Sequence, residues 1–143
     1  PRSGPLPGSS GWVAEPGAAG ALRQLVDRGW RVAVVSNSTH GRIEQLLGSG
    51  RYAPVTVVLD SAVVGVEKPD PRIFEAALEA LGAAPSDCTH VGDSVPLDVR
   101  PALELGMRAV HVDPLGACAA TGHDHAASLA AFVRRDGHDG AAP

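Results

Sequence analysis

The order of apolar runs and helical segments predicts an α/β fold: a Rossmann-like, doubly wound parallel sheet with helices on both faces. Two observations carry this. The runs "VAVV" from Val32 and "VTVVL" from Val55 are short, rich in β-branched residues and unalternated, as strands buried on both faces are. Polar residues sit where those strands and the later ones end: Ser36 and Asn37, Asp60 and Ser61, Asp93 and Ser94, and Asp113. Open α/β sheets gather ligands at their carboxyl ends.

Taken in order, residues 1–11, "PRSGPLPGSSG", read as a flexible lead-in. Ala18, Leu22, Leu25 and Val26 recur at helical spacing over residues 17–28, and Gly29 suits a C-terminal cap. A strand over 30–38 follows, then a short helix through Leu47 capped by Ser38 or Thr39, and a second strand over 55–59. Asp70-Pro71 opens a helix, with Asp as N-cap and Pro at its first position. Phe74, Leu78 and Leu81 line one face, and Gly82 ends it. "THVGDS" is a short strand running into a polar turn, followed by a helix over 95–105 that ends at Gly106. "RAVHV" is the last predicted strand, 126–135 the last helix, and 136–143 a disordered tail. Residues 12–135 thus form one α/β core.

Bulk properties narrow the function. A net charge of −4 and a pI near 5.8 argue against nucleic-acid binding, which usually shows a basic patch. No apolar run approaches the roughly 20 residues of a membrane span. Two cysteines, Cys88 and Cys118, with no CxxC pattern, make a reducing cytoplasm the default location, and both read as ordinary thiols. His123-Asp124-His125 reads as a solvated polar segment.

Lys68 is the only lysine in a chain whose Lys and Arg total 12. A composition so averse to lysine keeps one where a compact ammonium, and not a planar fork, is needed. Lys68 lies in "VEKPDPRIF", between "VVSNS", which holds Ser36, and "HVGDSVPLD", which holds Asp93 and Asp98. These stretches, in this order on matching elements, resemble the second, third and fourth motifs of the haloacid dehalogenase-like (HAD) hydrolase superfamily. The wider "GVEKPDPRIF" and "GDSVPLDVRPALELGM" resemble the branch of haloacid dehalogenases and phosphoglycolate-type phosphatases. The resemblance covers roughly residues 16–113.

The resemblance implies attack by an Asp carboxylate on a phosphoryl or haloalkyl centre, usually with Mg²⁺, on a small phosphorylated substrate. Ser36 would donate its hydroxyl to a phosphate oxygen, with Asn37 beside it. Lys68 would offset charge in the transition state. Asp93 would ligate Mg²⁺, and Asp98 would serve the metal, orient its water or hold Lys68. Plainer roles stand beside these: Ser36 as part of a helix cap, Asp93 as an N-cap, and Asp98 as an acid complementing the helix dipole.

The family's first motif, an apolar strand ending in DxDx(T/V), has no counterpart. Asp27 falls inside a helical segment, and Asp136 and Asp139 lie in a Gly-rich tail with no strand before them. The helical cap that shapes substrate choice is missing too. The expectation is therefore the C-terminal part of a phosphatase-type hydrolase, inactive alone; the alternative is a non-catalytic phosphate- or metal-binding module acting with a partner. In such folds the absent strand is the central one. The chain is then expected to pair the two flanking strands directly, to take a strand from a second copy, another partner or a segment preceding residue 1, or to be marginal in stability.

Overall fold

The computed structural model describes residues 4–5, 12–13, 18–37, 55 and 57–137, and within them the parallel strands fall into two sheets. The predicted helix through Leu47 lies outside the described residues. Near the start, β1 (Gly4–Pro5) and β2 (Trp12–Val13) form a two-residue antiparallel ribbon.

Helix α1 (Ala18–Asp27) ends where Gly29 takes φ 92°, a left-handed value that Gly adopts without steric cost. β3 (Ala33–Ser36) then runs parallel to β4 (Val57–Asp60), with Ser36 opposite Asp60. The fully buried Asp60 caps the short helix α2 (Ser61–Val64) by accepting from the Ala62 amide at 3.0 Å. Helix α3 (Pro71–Leu81) has the ends its sequence predicts. Asp70 accepts from the Arg72 amide at 2.9 Å, and Gly82 closes the helix at φ 64°. Its buried face is Ile73, Phe74, Ala77 and Leu78.

The second sheet has the order β5 (Thr89–Gly92), β6 (Arg108–Val112), β7 (Asp124–Ala126), all parallel. Helices cover both faces of β6. Val110 packs with Ala21 and Leu25 of α1 and with Phe132, while its neighbour Ala109 packs with Val99 and Ala102 on the opposite side. Successive strand residues point to opposite faces, so one strand serves two cores.

β7 corrects the sequence reading, which placed a helix from residue 126. Asp124, His125 and Ala126 instead pair with Val110, His111 and Val112, and the Asp113 amide donates to the Ala126 carbonyl at 2.8 Å. The helix starts later, as α5 (Leu129–Phe132), because the Ser128 hydroxyl accepts from the Ala131 amide at 3.0 Å and sets the N-cap there. A wider helical turn, Val133–Gly137, follows.

β3 also differs from expectation. Its residues are half-buried instead of enclosed on both faces. The cause lies beside it. Among the described residues β3 and β5 do not pair, and a cleft of about 290 Å³ lies between residues 32–35 on one side and 89–91 on the other. Leu25 of α1 and Phe74 and Leu78 of α3 help to wall it. Among the described residues no helix is long and apolar enough to cross a membrane.

Candidate active site

The polar turn after β5 is built by its own backbone. The Ser94 hydroxyl accepts from the Leu97 amide at 3.2 Å, so Ser94 is the N-cap and the capping role open to Asp93 is already filled. Residues Val95–Val99 form a π-helical turn, in which the Val99 amide reaches the Ser94 carbonyl at 3.1 Å. Pro101 lacks the N–H that would otherwise reach the Leu97 carbonyl, which accounts for the turn staying wide before helix α4 (Arg100–Glu104) continues it.

This turn lays Asp98 back over β5 at Gly92. A Cβ on Gly92 would stand 2.3 Å from the Asp98 Cγ and 2.6 Å from its Cβ, so glycine is required on space alone. Gly92→Ala is expected to destabilise the fold by about 1–3 kcal/mol, the usual cost of overpacking. Urea denaturation measures it; an unchanged midpoint would place Asp98 elsewhere.

Asp98 gathers three donors. The Lys68 Nζ lies 2.6 Å from its Oδ1, with the two side chains only 13% and 4% exposed. The His90 Nε2 donates to the same oxygen at 2.9 Å, and the Ser94 amide donates to Oδ2 at 3.2 Å. Burial alone would raise the Asp98 pKa; the hydrogen bonds from His90 and Lys68, aided by charge, prevail and lower it to about 2. His90 in turn rests edge-on against Phe74, ring centroids 5.0 Å apart.

Asn37 holds Lys68 from the other side. Its amide nitrogen donates to the Lys68 carbonyl at 3.0 Å, and its carbonyl oxygen accepts from the Lys68 amide at 2.7 Å. The Lys68–Pro69 peptide in this clamp is cis. Both ends of the Asn37 amide are thus engaged with backbone. Ser36 precedes it at the carboxyl end of β3.

Bonded contacts therefore join the predicted residues in one line, from Ser36-Asn37 to Lys68, on to Asp98, and from Asp98 to Ser94 beside Asp93. The Asp93 residue is exposed, and among the described residues no group pairs with its carboxylate, though its carbonyl faces the His111 Nε2 at 3.3 Å. Ser36 and Asp93 stand at the ends of β3 and β5, the two strands that flank the cleft.

Sequence reasoning passed over His90. The signal was present, since residues 90 and 92 share one face of a strand and Gly92 marks where Asp98 approaches. It also treated Cys118 and the 123–125 segment as unremarkable. In the structure His111, Cys118, His123 and His125 bring ligand atoms within 4.8 Å of one another. The sequence reading made β6 the last strand of the sheet, so nothing there placed His125 beside His111.

A family model described as haloacid dehalogenase-like hydrolase matches residues 6–106. Among curated proteins, the chain is 41% identical over 99 residues to the phosphoserine phosphatase of Thermus thermophilus, covering 68% of this chain and 40% of that protein. It is 36% identical over 92 residues to the glyceraldehyde 3-phosphate phosphatase of Methanopyrus kandleri, covering 64% of this chain and 40% of that protein. The crystal structure of a HAD phosphatase from Thermococcus onnurineus superposes with a TM-score of 0.78 at 26% identity, covering 92% of this chain and 60% of that one. The chain thus spans about 40% of the length of the curated relatives it matches.

Proposed function

The chain belongs to the haloacid dehalogenase-like hydrolase family, and on that premise we propose that it is the phosphate-handling part of a Mg²⁺-dependent phosphatase. Its nucleophile is an Asp on a strand from outside these 143 residues. The observation that carries this reading is the cleft between the unpaired strands β3 and β5, with Ser36 ending β3 and Asp93 following β5. A parallel strand seated there would deliver its last residues beside Lys68. The names of the two curated relatives point to small phosphate monoesters as the substrate class.

Within that site Ser36 donates its hydroxyl to a phosphate oxygen. Lys68 places its ammonium between the phosphate and the incoming carboxylate, where negative charge accumulates. Asn37 fixes the Lys68 backbone and Asp98 fixes its head group, so the ammonium needs no rearrangement during reaction. Asp93 fits a hard cation: its carboxylate is exposed, and Mg²⁺ favours carboxylate oxygen together with water and phosphate oxygens. When bound, that ion supplies positive charge against the phosphate. Asp98, with both oxygens engaged by protein donors, is better suited to hold Lys68 than to ligate the metal.

Without a nucleophilic carboxylate the chain has no route to an aspartyl intermediate. The purified chain with Mg²⁺ is expected to leave p-nitrophenyl phosphate intact. The same chain preceded by an apolar strand ending in DxDx(T/V) is expected to hydrolyse it only when Mg²⁺ is present. Hydrolysis by the 143-residue chain itself, abolished by Lys68→Ala, would overturn the proposal.

A further inference from the structure

The geometry points to a second cation site, for Zn²⁺, formed by His111, Cys118, His123 and His125 at the β6–β7 edge of the sheet. It is independent of the phosphatase reading. Three segments converge to make it: β6, the connecting loop, and β7 with the residue before it. The parallel register sets His111 directly opposite His125, which places both rings on one face. His123 precedes His125 by two residues and keeps to that face. Cys118 lies in the connecting loop, which Asp113 organises: its carboxylate accepts from the Ala117 amide at 3.2 Å and the Cys118 amide at 2.8 Å.

Three imidazoles and a thiol result, with ligand atoms all within 4.8 Å of one another and the Cys118 Sγ 4.0 Å from the His123 Nε2. Bond lengths of 2.0–2.3 Å put the ligand atoms of a tetrahedral zinc site about 3.3–3.7 Å apart, so closure needs only small side-chain rotations.

Two buried nitrogens mark the centre as unfinished. The His111 Nδ1 and the His125 Nε2 have no hydrogen-bond partner, although His111 is only 8% exposed. Buried polar atoms are seldom left so, and each costs about 1–3 kcal/mol when they are. For His111 the tautomer follows from its other nitrogen, since Nε2 must carry the proton to donate to the Asp93 carbonyl. That leaves the Nδ1 lone pair, which no hydrogen bond uses, as the nitrogen His111 can offer a metal. A histidine that binds metal through one nitrogen and donates to a backbone carbonyl through the other is a common supporting arrangement in metal sites.

The ligand set selects the ion. A thiolate with three imidazoles suits a borderline-soft, four-coordinate cation and not Mg²⁺ or Ca²⁺, which take oxygen. Four protein ligands close the site, so its role is structural: Cys118 gives up its proton to solvent as the Zn–S bond forms, and the loop is pinned to β6 and β7. Through His111 the site also braces the carbonyl of Asp93, the residue expected to hold Mg²⁺.

Metal-stripped chain titrated with Co²⁺ provides the test. The expected result is one equivalent bound, with the intense visible bands of a tetrahedral ion and a near-ultraviolet thiolate-to-metal band, both erased by added Zn²⁺. Cys118→Ser should lose the thiolate band and weaken binding by about 100-fold or more. His123→Ala, at a less buried position, should weaken binding while leaving the far-ultraviolet circular dichroism unchanged. Cys88→Ser should keep both bands. No binding by folded protein, a pale six-coordinate spectrum, or a thiolate band that survives Cys118→Ser would each overturn the proposal.

Discussion

Asp98→Ala is expected to lower the unfolding free energy by about 3–5 kcal/mol, the cost of stranding one partner of a buried ion pair. The mutation leaves the Lys68 ammonium, the His90 ring and the Ser94 amide without their shared acceptor. Against a total stability of about 5–15 kcal/mol for a domain, that loss is severe. The pH dependence identifies the cause. The native Asp98 pKa, about 2, lies below its ordinary 3.8, so the unfolded chain binds the proton more readily. The contribution is therefore complete above about pH 4 and is lost as pH falls through about 2. That gap corresponds to about 2–3 kcal/mol. Denaturant titrations at several acidic pH values should show this acid-induced loss in the parent chain and a smaller one in Asp98→Ala. A cost below about 1 kcal/mol, with the acid limb unchanged, would mean that the carboxylate bears little of the site's organisation.

In a form that includes the Asp-bearing strand, Lys68→Ala is expected to reduce kcat by about 100- to 1,000-fold, the effect of removing one pre-placed charge or donor from a transition state. Lys68→Arg should recover little of it. The guanidinium is a wider, planar group, and it would have to replace a single 2.6 Å contact from the Lys68 Nζ to an Asp98 oxygen that His90 also uses. Steady-state kinetics with Mg²⁺ separates the two effects, since a charge that acts mainly in the transition state moves kcat more than KM. Full activity in Lys68→Arg would show that any cation suffices at this position, and the lone lysine would then lose its explanation.

Much of the fold was legible in residue order. Asp70-Pro71 and Gly82 announced both ends of α3, and the structure places the caps there. The "RAVHV" run became β6 with its predicted limits, Arg108–Val112. These features are local: a side-chain oxygen reaching an amide two residues on, or a glycine free to turn left-handed, depends on neighbours in the chain. The Ser36, Lys68 and Asp93 stretches were likewise readable, because each sits at a predicted element boundary.

β7 was not readable. Asp124-His125-Ala126 carries no strand signal of its own, and it becomes a strand because β6 offers an edge to pair with. The contacts of His90 and His111 were hidden for the same reason, since their partners lie eight or more residues away or across the sheet.

The sequence by itself determined which polar residues stand at the strand ends, where α3 begins and ends, and that no apolar run within it ends in DxDx(T/V). Only the tertiary structure decided that, among the described residues, the parallel strands fall into two sheets, that Asp98 grips Lys68, and that three histidines meet a thiol. The physical reason is range. Caps and turns are settled by atoms a few residues apart, whereas strand pairing and buried polar contacts depend on which distant segments the core brings together.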